Sequence, residues 1–175
     1  MKDNLKLLIS KEGIQRAIEA IAAEIHRDYE GKSLVVIGVL NGSIFFLADL
    51  MRQIHLPTEI DFVKLSSYGS SKSGKESSGT VRLLKDIDAD IYDRDVLIVE
   101  EIIDSGRTLE FLYRRLQTSR PKSLKICALL DKKSKRIAQI EADYVGIEVE
   151  DKFLVGYGLD FNEAYRNLSD IYYLI

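Results

Sequence analysis

VLIVEEIIDSGRTL, residues Val96 to Leu109, is the stretch whose reading decides the fold. From Asp95 to Val99 it is a nearly continuous apolar run, of the kind that lies in a parallel sheet covered on both faces. Two adjacent acids, Glu100 and Glu101, follow directly. Next come the small donors around Asp104, Ser105 and Gly106, and then a helix expected from Leu109 to about Thr118. In an open α/β sheet, ligands bind just beyond the carboxyl ends of the strands. A helix start at that place offers unpaired backbone N–H groups and the positive end of the dipole, which suits a phosphate. Gly106 permits close backbone approach, and Ser105 and Thr108 add hydroxyl donors.

Carboxylates beside a phosphate must face something else. Glu100 and Glu101 suit sugar hydroxyls, or Mg²⁺ held directly or through its waters. A ribose 5-phosphate, with a phosphate at one end and vicinal hydroxyls in the middle, meets both demands. Helix capping by Asp104 or Ser105 is the plainer explanation of the turn, but it gives no reason for acids immediately after an apolar strand.

The flanking sequence repeats the alternation of strand and helix. Ser10 precedes apolar residues Ile14, Ala17, Ile18, Ile21 and Ile25 at helical spacing, and Gly31 supplies a stop. Leu34–Leu40 is a second unbroken apolar run, followed by a turn of small residues and an amphipathic helix from Ile44 to about Ile54. Strands are expected at Ile60–Ser67, Thr80–Leu84, Leu124–Leu130, Val145–Val149 and Ile171–Leu174. Together these predict a doubly wound, mainly parallel sheet flanked by helices, in one domain spanning residues 1–175. The Gly-, Ser- and Lys-rich stretch Tyr68–Gly79 buries little and reads as a mobile loop, its length favouring a lid over a site.

Composition excludes several classes. A formal net charge of −3 and a pI near 5.5 argue against a nucleic-acid binder. Cys127 is the only cysteine and lies in an apolar run, so it reads as a buried strand residue. His26 and His55 share no ligand spacing with it, which speaks against zinc. The first ten residues are too short and charged for a signal peptide, and no apolar run reaches membrane-spanning length. A cytoplasmic protein without a membrane partner is the expectation.

VLIVEEIIDSGRTL closely resembles the signature by which type I phosphoribosyltransferases bind phosphoribosyl pyrophosphate (PRPP). Further pieces, in order, resemble the hypoxanthine–guanine branch: LNGS at Leu40–Ser43, SSYG at Ser66–Gly69, LLDK at Leu129–Lys132, DKFLVGYGLD at Asp151–Asp160 and YRNL at Tyr165–Leu168. The resemblance implies the type I phosphoribosyltransferase fold, with a small hood built from the N- and C-terminal segments. It implies transfer of the 5-phosphoribosyl group to N9 of hypoxanthine or guanine, with Mg²⁺ as cofactor and a homodimer or homotetramer as the assembly.

The same resemblance distributes roles. Glu100 and Glu101 would hold the ribose and a metal; Asp104 would be the general base at purine N7; and Ser105, Gly106, Arg107 and Thr108 would cradle the 5′-phosphate. Leu40, Asn41 and Gly42, with Arg166, would meet pyrophosphate, and the Leu40–Asn41 bond is one that family members often make cis. Ser67 and Tyr68 would begin the lid. Lys132 would donate to the purine O6, Phe153 would stack on the base, the Leu154 backbone would meet its edge, and Asp160 would ligate a second Mg²⁺ beside the purine. Taken alone, Lys132 would more often be a solvated member of the charged run Asp131–Arg136. Most relatives carry Asp where Glu101 stands and many carry Lys where Asn41 stands. A preference for xanthine and a PRPP-sensing regulator are the competing readings, although a regulator would be expected to show a basic face.

Overall fold

A computed structural model of the protein describes residues 4–68 and 80–175. The loop expected at Tyr68–Gly79 falls almost wholly outside those residues, and only the backbone of Ser67 and Tyr68 is described. The elements in chain order are β1 (Leu5–Ile9), α1 (Lys11–Asp28), β2 (Leu34–Leu40), α2 (Ile44–Gln53), β3 (Thr58–Tyr68), β4 (Thr80–Lys85), β5 (Asp95–Ile103), α3 (Arg107–Gln117), β6 (Ser123–Asp131), β7 (Tyr144–Glu148), β8 (Leu154–Val155) and β9 (Ile171–Leu174).

Six strands form the main sheet in the order β4-β3-β2-β5-β6-β7, parallel except for the antiparallel edge pair β3–β4. The doubly wound sheet read from the sequence is therefore present. Alternate residues of the central strands face opposite layers. Val36, Leu97, Val99 and Cys127 pack beneath α1 and α2 with Ile18, Ile25 and Phe46. Val35, Ile37, Ile98 and Ile126 pack beneath α3 with Leu109, Leu112 and Leu116. That is why β2 and β5 are apolar at every central position. Burying one such leucine side chain contributes about 2 kcal/mol.

From β2 the chain winds outward through α2 to β3; from β5 it winds the other way through α3 to β6. The crevice where such a sheet takes a ligand therefore lies above the carboxyl ends of β2 and β5. A separate three-stranded sheet, β1-β9-β8, joins the two ends of the chain. Leu5 pairs with Leu174 and Leu154 with Tyr173, forming the hood that the resemblance implied. Tyr157 fastens the hood to the body by donating to the Asp49 carboxylate of α2 at 2.6 Å. The Ser10 side chain caps α1 by accepting from the Gly13 N–H at 3.3 Å, as the sequence indicated. Among the described residues, no helix is long and apolar enough to cross a membrane.

Beyond β6 the chain folds back against the β5–α3 turn, and one side chain organises that return. Arg136 is paired with the buried Asp131 carboxylate and donates to the carbonyls of Ile140, at 2.5 Å, and Asp104, at 3.3 Å. The N–H groups of Ile137 and Ala138 both donate to the Ser105 carbonyl, at 2.9 and 3.0 Å. Arg136→Ala leaves the Asp131 charge buried and unpaired, a loss on the order of 3 kcal/mol. The melting temperature should fall by roughly 10 °C, and a fall of less than ~2 °C in a thermal melt would show the pair to be dispensable.

Candidate active site

Strand β5 does not stop at Val99. Its pairing with β6 runs on through Glu100↔Ala128 to Ile103↔Asp131, so Glu100 and Glu101 belong to the strand and not to a turn after it. Helix α3 likewise begins two residues earlier than its apolar spacing indicated, at Arg107. The residue at its N-cap is Gly106, in the left-handed region with φ +79°, and no side chain caps the helix. Asp104 is not bonded to the first turn, and Ser105 Oγ accepts only from the Arg107 N–H, at a long 3.4 Å, which leaves the other first-turn N–H groups without a side-chain partner. The helix start thus keeps its positive end free for a ligand. A Cβ at Gly106 would also crowd the Arg136 and Ile140 side chains at 3.0 Å, which adds to the cost of the positive φ for any other residue.

A cavity of about 240 Å³ opens at this turn, lined by Leu40 from β2, Glu100, Glu101, Asp104 and Ser105 from β5 and its turn, and Thr108 from α3. Larger concavities, of about 600 and 750 Å³, lie against α1 and the C-terminal segment. Among the described residues only the smaller one combines acids with a helix start that no side chain caps, and it sits at the strand ends where the winding reverses. It is the better candidate on chemistry despite its size.

Its floor is acidic. Burial, and then the charge of Glu101, hold the Glu100 carboxyl well above the ordinary value of 4.5. Burial also raises Glu101, whose Oε2 is buried without a hydrogen-bond partner. The Glu101 N–H donates to Glu100 Oε1 at 3.2 Å, and Arg166 and Asp160 are close enough to act on Glu101 through their charges.

Across the cavity from β5, the turn after β2 carries a cis peptide between Leu40 and Asn41, where the resemblance placed one. Asn41 is exposed and Gly42 buried. At the other end, Lys132 follows β6, and its amide donates to the Ile103 carbonyl at 2.9 Å, tying the tips of β5 and β6 together. The lysine is buried, not solvated as its charged neighbours would suggest, and its Nζ lies 4.0 Å from Asp104 Oδ2. Asp104 itself is 56% exposed, open to a ligand. Phe153 is also open, 53% exposed, with Phe161 edge-on at 5.5 Å, while Leu154 is buried in the hood. Asp160 pairs with Arg166 at 2.9 Å, and Arg166 also donates to the Gly158 carbonyl at 2.9 Å and meets Glu163 at 3.1 Å.

The structure thus gathers Glu100, Glu101, Asp104, Ser105, Gly106, Thr108 and Leu40 around one cavity, with Gly42 against Glu101, Lys132 beside Asp104, and Asp160 and Arg166 near Glu101. Arg107 is exposed on the first turn of α3. Three contributors escaped the sequence reading. Asp131 and Arg136 form a pair with no helical spacing to announce it, and Gly158, with φ +99°, backs the Gly42 carbonyl. The closely spaced glycines of Gly156-Tyr157-Gly158 were the available sequence signal for the last.

A family model described as phosphoribosyl transferase domain matches residues 8–162. A hypoxanthine-guanine phosphoribosyltransferase from Mycobacterium avium is 47% identical over 175 residues, covering 97% of this chain and 85% of the relative. One from Bacillus subtilis is 48% identical over 166 residues, covering 95% and 91%. Among solved structures, a hypoxanthine-guanine phosphoribosyltransferase from Bacillus anthracis, with a HEPES molecule in its active site, superposes with a TM-score of 0.91 at 47% identity, over 97% of this chain and 98% of that one. A hypoxanthine phosphoribosyltransferase from Staphylococcus aureus gives a TM-score of 0.92 at 43% identity, over 99% and 93%. The chain belongs to the phosphoribosyl transferase family, on its hypoxanthine–guanine branch.

Proposed function

We propose that this chain transfers the 5-phosphoribosyl group of PRPP to N9 of hypoxanthine or guanine, releasing pyrophosphate and forming IMP or GMP. The observation that carries the reading is the pairing of Lys132 with Asp104, 4.0 Å apart, at the edge of a cavity that also takes in a helix start without a side-chain cap. O6 and N7 are neighbours on one edge of a 6-oxopurine. A lysine donates and cannot accept, so it suits O6 and not the amino group of adenine. The carboxylate beside it is placed to take the proton that the purine loses.

In this reading Ser105, Gly106, Arg107 and Thr108 receive the 5′-phosphate on backbone and hydroxyl donors, with the α3 dipole behind them. Leu40, Asn41, Gly42 and Arg166 border the departing pyrophosphate. Phe153 offers an open ring face to the base, and the Leu154 backbone its edge. Ser67 and Tyr68 begin the lid, which would keep water from the oxocarbenium-like carbon. Residues 1–175 act as one unit, in a cytoplasmic homodimer or homotetramer.

Glu100, Glu101 and Asp160 are the residues that would hold Mg²⁺. Among the described residues no three acid, histidine or cysteine side chains converge into a complete metal site. Mg²⁺ usually keeps waters and substrate phosphates and takes only one or two carboxylates, so an incomplete set fits it. The partnerless buried Oε2 of Glu101 and the crowded charge on Glu100 fit it as well. When bound, the ion supplies positive charge against the diphosphate.

Steady-state assay of the protein with PRPP and Mg²⁺ against hypoxanthine, guanine, xanthine and adenine tests the proposal; transfer to adenine alone, or to none, would refute it. Asp104→Asn should lose about 10²–10⁴-fold in kcat while binding PRPP nearly as well, and undiminished turnover would remove Asp104 from proton transfer. Lys132→Ala should raise KM for the purine and leave PRPP affinity largely unchanged; a selective loss of PRPP binding would reverse that assignment.

The raised Glu100 carboxyl gives a pH dependence with a definite sign. Between 4.5 and the raised folded value the folded protein holds a proton that the unfolded chain has lost. Stability of the ligand-free protein therefore falls as pH rises through that window. Binding of PRPP with Mg²⁺ requires the ionised pair and should expel a proton there. Calorimetric heats should then differ between buffers of different ionisation enthalpy, and equal heats would contradict the assignment.

A further inference from the structure

Gly42 and Glu101 occupy the same small volume from two sides. A Cβ placed on Gly42 would lie 1.9 Å from Glu101 Oε1 and 2.3 Å from Glu101 Cδ. The carboxylate therefore lies directly against the Gly42 backbone, filling the space that a side chain there would take. Strand alternation explains how it gets there. Glu101 shares the parity of Leu97 and Val99, which face α2, and Gly42 lies just ahead of α2. On its other side Gly42 is closed by Gly158, where a Cβ would meet the Gly42 carbonyl oxygen at 1.9 Å. Gly158 is itself held by Arg166, through both a backbone bond and a side-chain bond at 2.9 Å. The turn after β2 is thus gripped between a side chain of β5 and the backbone of the C-terminal segment. The two sides of that grip differ in stiffness. Behind Gly158 stands backbone, whereas behind Gly42 stands a carboxylate whose Oε2 makes no hydrogen bond.

Building on the phosphoribosyl transfer proposed above, we infer that Glu101 is a positioning residue for the Leu40–Gly42 turn. Its carboxylate is held in place by packing on Gly42, so the pyrophosphate side and the acidic side of the site move as one unit. The glutamate's length is what makes the contact. Aspartate at the same position would withdraw the carboxylate by up to about 1.5 Å, enough to turn the 1.9 Å overlap with an added Cβ into ordinary contact.

A double-mutant cycle on the full chain tests this. Gly42→Ala should push the carboxylate aside and raise KM for PRPP, and for pyrophosphate in the reverse reaction, about tenfold, equivalent to ~1.4 kcal/mol. KM for hypoxanthine should stay within about twofold, a split that general loss of structure would not give. Adding Glu101→Asp to Gly42→Ala should recover most of the loss, whereas Gly158→Ala, whose Cβ meets backbone, should gain nothing from Asp at 101. Additive effects of Gly42→Ala and Glu101→Asp would overturn the inference, as would an unchanged KM in Gly42→Ala. The same cycle read in melting temperatures requires no substrate. If the wild-type protein transferred to no purine, non-additive melting temperatures would still uphold the Gly42–Glu101 contact, and additive ones would sink it. Should Gly42→Ala alone fail to fold, recovery of a folded double variant upholds the contact and its failure overturns it.

Discussion

Consecutive residues of a β-strand face opposite ways, and at the tip of β5 this rule divides two neighbouring acids between the layers of the molecule. Glu100 follows Val96 and Ile98 toward the α3 layer, and Glu101 follows Leu97 and Val99 toward α2 and the hood. The alternation holds only as far as these acids, since Ile102 packs with the α1–α2 layer and Ile103 with the α3 layer. The helix start that would receive a phosphate lies on the α3 side. The turn after β2, together with Arg166, Asp160 and Gly158, lies on the other. A single strand thus hands one acid to each half of the site, and its pairing with β2 and β6 fixes the distance between the halves.

The electrostatic arrangement is unusual for a protein whose proposed substrate is itself polyanionic. The chain carries a net charge of −3, and its cavity floor is one buried and one partly buried carboxylate, Glu100 and Glu101. Attraction must then come from elements that net charge does not count. One is the uncapped start of α3, whose N–H groups and dipole act over a few ångströms. Another is Lys132, buried where a full positive charge is weakly screened. A cation shared between acids and diphosphate would be the third. Each acts only at close range, so the site favours a ligand that fits over one that is merely negative.

Much of the frame was legible because its signals are local. The unbroken apolar runs at β2, β5 and β6 mark strands covered on both faces, and Ser10 announces α1. What was missed is non-local or contrary to propensity. β1 is short and largely exposed, and it is a strand only because residues some 165 positions later pair with it. Glu100 and Glu101 looked like the end of β5 because acids are poor strand formers, yet the β6 ladder carries them on to Ile103. The start of α3 was set too late because Leu109 is its first core-facing residue, while the left-handed Gly106 admits Arg107 and Thr108 as helix. Asp131–Arg136 read as a solvated charge run. In the fold, Asp131 and Lys132 are buried and Arg136 turns inward, which no periodicity reveals. The candidate site residues rest on motif resemblance; the contacts that Arg136 and Gly158 make around them are visible only in the fold.

Cys127 lies on β6, between β5 and the edge strand β7, wholly shielded, and burial pushes its thiol far above the ordinary range. Since the thiolate is the form that reacts, alkylating reagents reach it only when β6 comes away from its neighbours. The protein therefore carries its own clock for sheet opening. The labelling rate of one natural sulfur reports how often the central strands part, and ligands that clamp β5 against β6 should slow it without touching the sulfur at all.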